Sequence, residues 1–548
     1  MLLNSLFKRC GMSPTVQTRQ HSLTMGFITL IGLVLLVGGC AMVGPDYVKP
    51  TPPEPDKWLE SDDPQIESKE NDFSQWWTVF NDPVLNTLVE TAYQQNLSLQ
   101  IAGLRVLQAR AQLGIAFGFQ YPQQQFAAGD ASVNQVSKNA PNAAFSDRYY
   151  NNYSAGFDAV WELDVWGKFR RAVQTGVADL EASIADYDDI LVTLTADVAR
   201  FYLQVRTNEE RLEVARQNVE IQRRSLEIAN VRFKAGAVTE LDVTQARSLL
   251  GSTQAFIPEF EANIRRAQNA LATLLGKLPG EIDAMLGGPG LIPQVPPEVV
   301  VGIPAELLRR RPDIRSAERQ MAAQSALIGF AKADLFPHFS LFGSLGLQAS
   351  SSVGDSSNNS KFSDLFTKDS VTYYAGGGFQ WDILNYGRIT NKVRVEDARF
   401  QGLVINYENT VLRAAQEVED AMISFLRTRD AVDFLADAVK ASKRSVDLSM
   451  IQYREGLTDY QRVLDTQRFL SEQQDQLVST TGAVDVALVG IYKALGGGWE
   501  LRKGNEFVPK DIIEEMEQRT NWGNLLSPDE YEYPPSQEVK AILHSPDF

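Results

Sequence analysis

The chain has 548 residues, of which 52 are basic and 69 acidic, for a formal net charge of −17. That balance excludes a nucleic-acid binder, which needs a basic face to displace counterions from phosphate. Two cysteines and three histidines exclude a disulfide scaffold and a Cys/His zinc site, and the scattered methionines form no soft-metal relay.

At the amino terminus, Lys8, Arg9 and Arg19 precede an apolar run from Met25 to Val37, which closes on Gly38-Gly39-Cys40. A positive segment, a short apolar segment and a small-residue cleavage site lay out a secretory signal over residues 1–39. Its 13 apolar residues rise about 20 Å, too little for a hydrocarbon core of ~30 Å. The Gly-Gly-Cys ending resembles the bacterial lipoprotein signal, which implies that Cys40 becomes the lipidated first residue. Alanine rather than aspartate at 41 implies, by the same resemblance, export to the outer membrane. Beyond Cys40 the sequence predicts no transmembrane helix, so a crossing by the mature chain requires a closed β-barrel.

The rest of the chain repeats itself. A shift of 220 places Tyr153 on Tyr373, Trp161 on Trp381, Gly167 on Gly387, Gly236 on Gly456 and Gly276 on Gly496. A shift of 215 places Tyr121-Pro122 on Phe336-Pro337. The expected organisation is a lipidated extended segment 40–82, repeat 83–276, a Pro/Gly-rich linker 277–303, repeat 304–498 and an acidic extension 499–548. Each repeat reads helix, two strands, then a long helical hairpin, over 167–276 and 388–496. Strands are expected near 121–136, 148–164, 337–352 and 370–385.

Apolar or small residues recur at 173, 177, 180, 184, 187, 191, 194, 198, 201 and 205, and again at 212, 215, 219, 226, 229 and 233. This is a heptad seam, and a continuous helix over 167–235 would be about 100 Å long. An ordinary solvated coiled coil would show the same period. Gly236 and Gly456 sit where a helix can end in a left-handed cap, and Thr239 and Asp459 then offer N-caps. The strands alternate: Val371, Tyr373, Ala375, Gly377, Phe379 and Trp381 share a face opposite Thr372, Tyr374, Gly376, Gly378 and Gln380. Such alternation suits a transmembrane barrel or a half-buried soluble sandwich. The segments 138–147 and 353–369, rich in Asn, Ser and Asp, read as exposed loops. Four strands cannot close a barrel, so several chains must share one; two would supply 8 strands and three would supply 12.

Three motifs carry a resemblance: Leu307-Leu308-Arg309-Arg310-Arg311-Pro312-Asp313-Ile314, Ala331-Lys332-Ala333-Asp334-Leu335-Phe336-Pro337, and Tyr492-Lys493-Ala494-Leu495-Gly496-Gly497-Gly498-Trp499. Over roughly residues 40–500 the chain resembles the TolC-like outer-membrane factors, in the lipoprotein branch serving resistance-nodulation-division efflux pumps. The resemblance implies a mainly α homotrimer with a helical barrel continuous with a 12-stranded outer-membrane β-barrel. It also implies a large periplasmic portion docked to a membrane-fusion adaptor and an inner-membrane resistance-nodulation-division pump. The chain is then a passive exit duct for drugs or other small toxic compounds. By the same resemblance the periplasmic gate lies within Gly456–Arg468, with Asp465 and Arg468 as its charged positions, beside Gln461 and Leu464. Gln461 stands where close relatives carry an apolar constriction, leaving an Asp465 ring that Arg468 at i+3 can neutralise. A type I protein-secretion duct and a lipid-anchored periplasmic scaffold without a barrel are the alternatives.

No catalytic constellation, metal site or cofactor motif is expected. His338 reads as structural or exposed, Arg309 to Arg311 as a solvated or protein-docking face, and Asp188-Asp189 as neighbours that cannot form a dyad. Residues 41–72 and 500–548 each contribute −6, so the acidity sits on the flanks of a nearly balanced repeated body.

Overall fold

The residues that start and stop helices in this chain come in pairs 220 positions apart. The computed structural model describes residues 42–51, 57–68, 72–139, 148–295, 299–301, 310–352 and 361–526; Cys40 and Leu307 to Arg309 lie outside them. Its elements begin with β1 (Ile66–Ser68), α1 (Pro83–Gln95), α2 (Leu97–Gly118), β2 (Gln124–Gln135) and β3 (Tyr149–Leu163). They continue with α3 (Lys168–Lys234), α4 (Glu240–Leu274), α5 (Asp283–Leu286), β4 (Val299–Val301) and α6 (Pro312–Ala333). The chain then forms β5 (His338–Ser352), β6 (Val371–Gln380), α7 (Arg388–Arg454), α8 (Tyr460–Ala494) and α9 (Lys510–Arg519).

Helices α3 and α7 are each 67 residues long, and α4 and α8 are each 35. The bounds are set by glycine. Gly167 and Gly387 precede the long helices at φ 76° and 81°, Gly236 and Gly456 follow them at 72° and 74°, and Gly276 and Gly496 follow the return helices at 65° and 69°. Only glycine enters this left-handed region without a steric penalty, so the repeat is a repeat of backbone conformation.

The chain divides into two compact units. The first, which includes Gln112–Ala178 and Ala322–Gln401, holds a four-stranded antiparallel sheet in the order β2-β3-β5-β6. Register places Ala127, Phe157, Leu345 and Tyr373 in one row across the sheet, and Asp158, Ser344 and Tyr374 in the adjacent row on the other face. The apolar face is uncovered within the chain: Phe157, Leu345, Tyr373 and Phe379 are 61–83% exposed. At the base of the strands, His338 Nδ1 lies 2.7 Å from Glu162, while Lys168 and Lys392 both pair with Asp334 at 2.9 and 3.0 Å. His338 is thus a structural partner, as its position at a strand start suggests. Of the segment 353–369 expected as an exposed loop, residues 353–360 lie outside the described residues; the rest is mostly exposed and coils into 3-10 turns at Phe362–Phe366 and Lys368–Ser370, burying Leu365.

The second unit, which includes Asp179–Met321 and the chain from Gly402 onward, holds the main hydrophobic core. Trp76, Leu88, Leu191, Tyr202, Phe425, Leu488 and Tyr492 meet there. Helix α8 corrects one expectation, because it is long and apolar enough by composition to cross a membrane. More than half of its apolar window is buried in the protein, and its interspersed Thr, Gly and Asp residues hide that window from a search for an unbroken run. The basic run is corrected as well. Arg311 is buried, donating to the Ala494 carbonyl at the end of α8 (2.6 Å), to both Asp313 oxygens (3.0 and 2.8 Å) and to Glu417 (2.8 Å). Arg310 pairs with Glu500. These arginines seal the C-terminal end of a helix, where orphan carbonyls need donors.

Gly496 and Gly236 share a left-handed φ but differ in surroundings. A Cβ at Gly496 would stand 3.1 Å from Arg311 Cγ, whereas one at Gly236 would meet nothing within 4 Å. Both Gly→Ala changes should cost about 1–2 kcal/mol from the backbone. Gly496→Ala should add about 1–3 kcal/mol from overpacking. Thermal unfolding followed by helical circular dichroism should therefore rank Gly496→Ala clearly below Gly236→Ala; equal midpoints would contradict this packing.

Candidate functional site

Helices α3 and α4 turn over Phe233-Lys234-Ala235-Gly236, where Gly236 N–H donates to Phe233 (2.9 Å) and Ala237 N–H donates to Arg232 (2.9 Å). The same pair of bonds closes the second hairpin, from Gly456 to Tyr453 (3.1 Å) and from Leu457 to Gln452 (2.8 Å). Asp459 caps α8 by accepting from Arg462 N–H. Thr239 occupies the N-cap of α4 but makes no side-chain cap bond, so that expectation holds for position and fails for chemistry.

The two tips are joined by Arg232. Its guanidinium donates to the Tyr453 and Arg454 carbonyls and lies over the Tyr453 ring, 4.6 Å from the centroid. Tyr453 meets Tyr460 edge-on at 5.3 Å, and both pack with Ala229, Val243, Leu249 and Val463 in a small apolar core. Burial pushes the phenols of both tyrosines up from their ordinary value.

The expected gate residues divide. Leu464 is buried in that tip core, while Gln461, Asp465 and Arg468 lie exposed on α8. Helical spacing explains this: Tyr460, Val463, Leu464 and Gln467 share the inner face, and 461, 465 and 468 share the outer one. Asp465 Oδ1 accepts from Gln461 Nε2 (2.9 Å), and Gln461 Oε1 in turn accepts from Gln245 (3.0 Å). Arg468 makes no ion pair with a described residue, so Gln461 rather than Arg468 orients the Asp465 carboxylate. Gln461 thus bridges Asp465 on its own helix and Gln245 on α4.

Above the tips the hairpins are joined by polar rungs that sequence reading missed. Arg211 binds Asp475 with two bonds (2.8 and 2.9 Å), Asn218 donates to Gln474 (3.0 Å), and Ser225 accepts from Gln467 (2.6 Å). With Arg232 these are four polar residues of α3 at heptad spacing: 211, 218, 225 and 232. These positions lie one residue before the apolar seam at 212, 219, 226 and 233, whose period masks theirs. Neighbouring Gln222 is buried with neither amide atom bonded to a described residue.

Asp485 is a second feature that periodicity conceals. It is 1% exposed on α8, and its Oδ2 meets no described donor. Three residues earlier a Cβ at Gly482 would come 2.2 Å from Thr207 Oγ1, so α3 and α8 pack closely there. Burial, and then Glu210, push its pKa up to about 8. Among the described residues no group of three or more His, Cys, Asp or Glu could hold a metal ion. The exposed groups at the tips offer charge and hydrogen bonds.

The family model described as outer membrane efflux protein matches residues 88–277 and 303–497. The chain is 31% identical over 468 residues to nodulation protein T of Rhizobium leguminosarum bv. trifolii, spanning 85% of this chain and 96% of that protein. It is 32% identical over 434 residues to the pyoverdine export outer membrane protein OpmQ of Pseudomonas putida, spanning 78% and 88%. The solved structure of the outer-membrane channel OprN matches with a TM-score of 0.77 and 32% identity, covering 84% of this chain and 99% of that one.

A raised carboxyl pKa means that the folded state holds a proton which the unfolded chain releases above about pH 4. Stability should therefore fall as pH rises from about 4 towards 8. Asp485→Asn should remove that slope, gaining about 1–3 kcal/mol at pH 8 and little at pH 4.5. Denaturant unfolding at the two pH values checks this, and parallel curves for variant and wild type would contradict it.

Proposed function

This chain belongs to the outer membrane efflux protein family, and from that premise we propose that three copies close one β-barrel as the exit duct of a tripartite efflux system. The observation that carries this reading is the four-stranded sheet, whose edge strands β2 and β6 have no partner among the described residues and whose apolar face is bare. In lipid every backbone group must be paired, and four strands cannot pair themselves into a cylinder. Three chains give 12 strands with an apolar exterior and the Asp158, Ser344 and Gln348 face turned to a wet lumen. Helix α7 agrees, keeping Ile405, Leu412, Phe434, Leu448 and Ile451 exposed where a neighbouring copy would cover them. A scaffold without a barrel gives no account of that sheet.

Energy comes from an inner-membrane pump through a periplasmic adaptor, and the duct itself performs no chemistry. Lipid on Cys40 fits the placing of the residues that follow it. Val43 N–H donates to the Trp166 carbonyl (3.0 Å), and the buried Arg171 guanidinium holds the Val43 and Gly44 carbonyls and Asp46 (3.2, 3.3 and 2.9 Å). Those bonds pin the amino-terminal segment beside the junction of β3 and α3, at the membrane end of the strands.

The gate is Asp465 with Arg468, Gln461 orienting the carboxylate and Leu464 serving the helix packing behind it. Three Asp465 side chains near a symmetry axis repel one another and attract cations, which favours a narrow, cation-selective resting state. The purified chain in planar bilayers should conduct ions. Asp465→Ala with Arg468→Ala should raise single-channel conductance at least twofold and weaken cation preference. Absence of conductance in the wild type would reject the duct, and an unchanged value in the variant would reject the gate.

A further inference from the structure

The family match ends at residue 497, and the described fold includes residues 499–526 beyond it. We infer that residues 499–526 are a built-in clasp, and that the face of α2 and α3 carrying Gly103, Arg110, Tyr187 and Asp188 is its docking surface. Each of those four residues lies inside the family module and is completed by a group from the extension.

Asp188 has no exposed surface, and Arg502 reaches its two oxygens with Nε at 2.6 Å and Nη2 at 3.3 Å; Arg315 stands further off at 3.5 Å. A buried carboxylate requires such a partner. Arg110, also buried, donates Nη1 to the Leu525 carbonyl at 2.7 Å. At Gly103 a Cβ would come 2.1 Å from the Phe507 carbonyl oxygen, so only glycine lets the extension lie against α2. The Phe507 ring meets Tyr187 edge-on at 5.1 Å, and Phe507, Val508, Met516 and Leu526 join the main hydrophobic core. The Trp499 ring receives Arg315 and Lys503, each 5.1 Å from its centroid.

The acidic composition of the extension conceals this role. Asp511, Glu514, Glu515 and Glu517 are exposed, while the docking contacts use Arg502, Glu500 towards Arg310, and apolar side chains. The inward face is therefore apolar with one cation, Arg502, set against Asp188, and a backbone carbonyl set against Arg110. The inference stands on intrachain contacts alone and holds whether or not the chain conducts.

The test uses the full chain with a carboxy-terminal epitope tag, followed by limited proteolysis and thermal unfolding. Arg502→Ala should release the tagged segment at least tenfold faster than wild type and lower the unfolding midpoint. Adding Asp188→Asn to that variant should restore much of the resistance, because a neutral amide needs no counter-charge; loss of packing alone would not be restored. An Arg502→Ala chain as resistant as wild type, or a double variant no better than the single one, overturns the clasp.

Discussion

Strands β2 and β6 each leave one row of backbone N–H and C=O groups without a partner among the described residues of one chain, and lipid offers no substitute. Every unpaired group there costs several kcal/mol, which far exceeds what side-chain packing across a small sheet returns. The sheet therefore makes physical sense only as a fraction of a cylinder. The rest follows from that shortage: the bare apolar face of Phe157, Leu345, Tyr373 and Phe379, and the small-residue and polar opposite face. The exposed apolar stripe of α7 follows too, since a chain that borrows strands from neighbours also borrows helix contacts.

Within the second unit the chain uses two kinds of cohesion. The main core is dense with Trp, Tyr, Phe and Leu, and burial of each large side chain is worth about 1.5–3 kcal/mol. Towards the tips, the α3 positions 211, 218, 225 and 232 join the hairpins through hydrogen bonds and one ion pair. Such bonds contribute only about 0.5–1.5 kcal/mol net, and their geometry specifies register. Asp465 and Gln461 lie exposed near the tips, joined to each other by one hydrogen bond.

Much of this was legible in the sequence because the repeat is written in glycines. Gly167, Gly236 and Gly276 and their partners 220 positions on mark turns that only glycine makes, so both hairpins could be placed before any coordinates. Strand alternation was equally plain. Other features were hidden by the signals used to look for them. The polar rungs of α3 lie beside an apolar seam that drew the eye, and Arg311 sits in a basic run that resembles a solvated patch although it caps a helix end. Leu464 was placed in the gate by resemblance, while its spacing from Tyr460 and Gln467 puts it in the tip core. The extension after 497 reads as acidic by count, yet its four core residues and Arg502 decide where it goes. Burial of a charge depends on partners remote in sequence, and a single sequence does not display them.

The central claim is that β2 of one chain pairs with β6 of the next. Within one chain these strands lie three inter-strand spacings apart, about 14 Å, beyond the reach of a disulfide. One cysteine placed in each edge strand of the same chain, scanned along β6 to find register and oxidised in outer membranes, tests the claim directly. The account predicts a covalently closed ring of three chains that survives boiling in detergent and collapses to monomers on reduction. Chains that remain monomeric at every position tried, or that link into open ladders of undefined length, would contradict it.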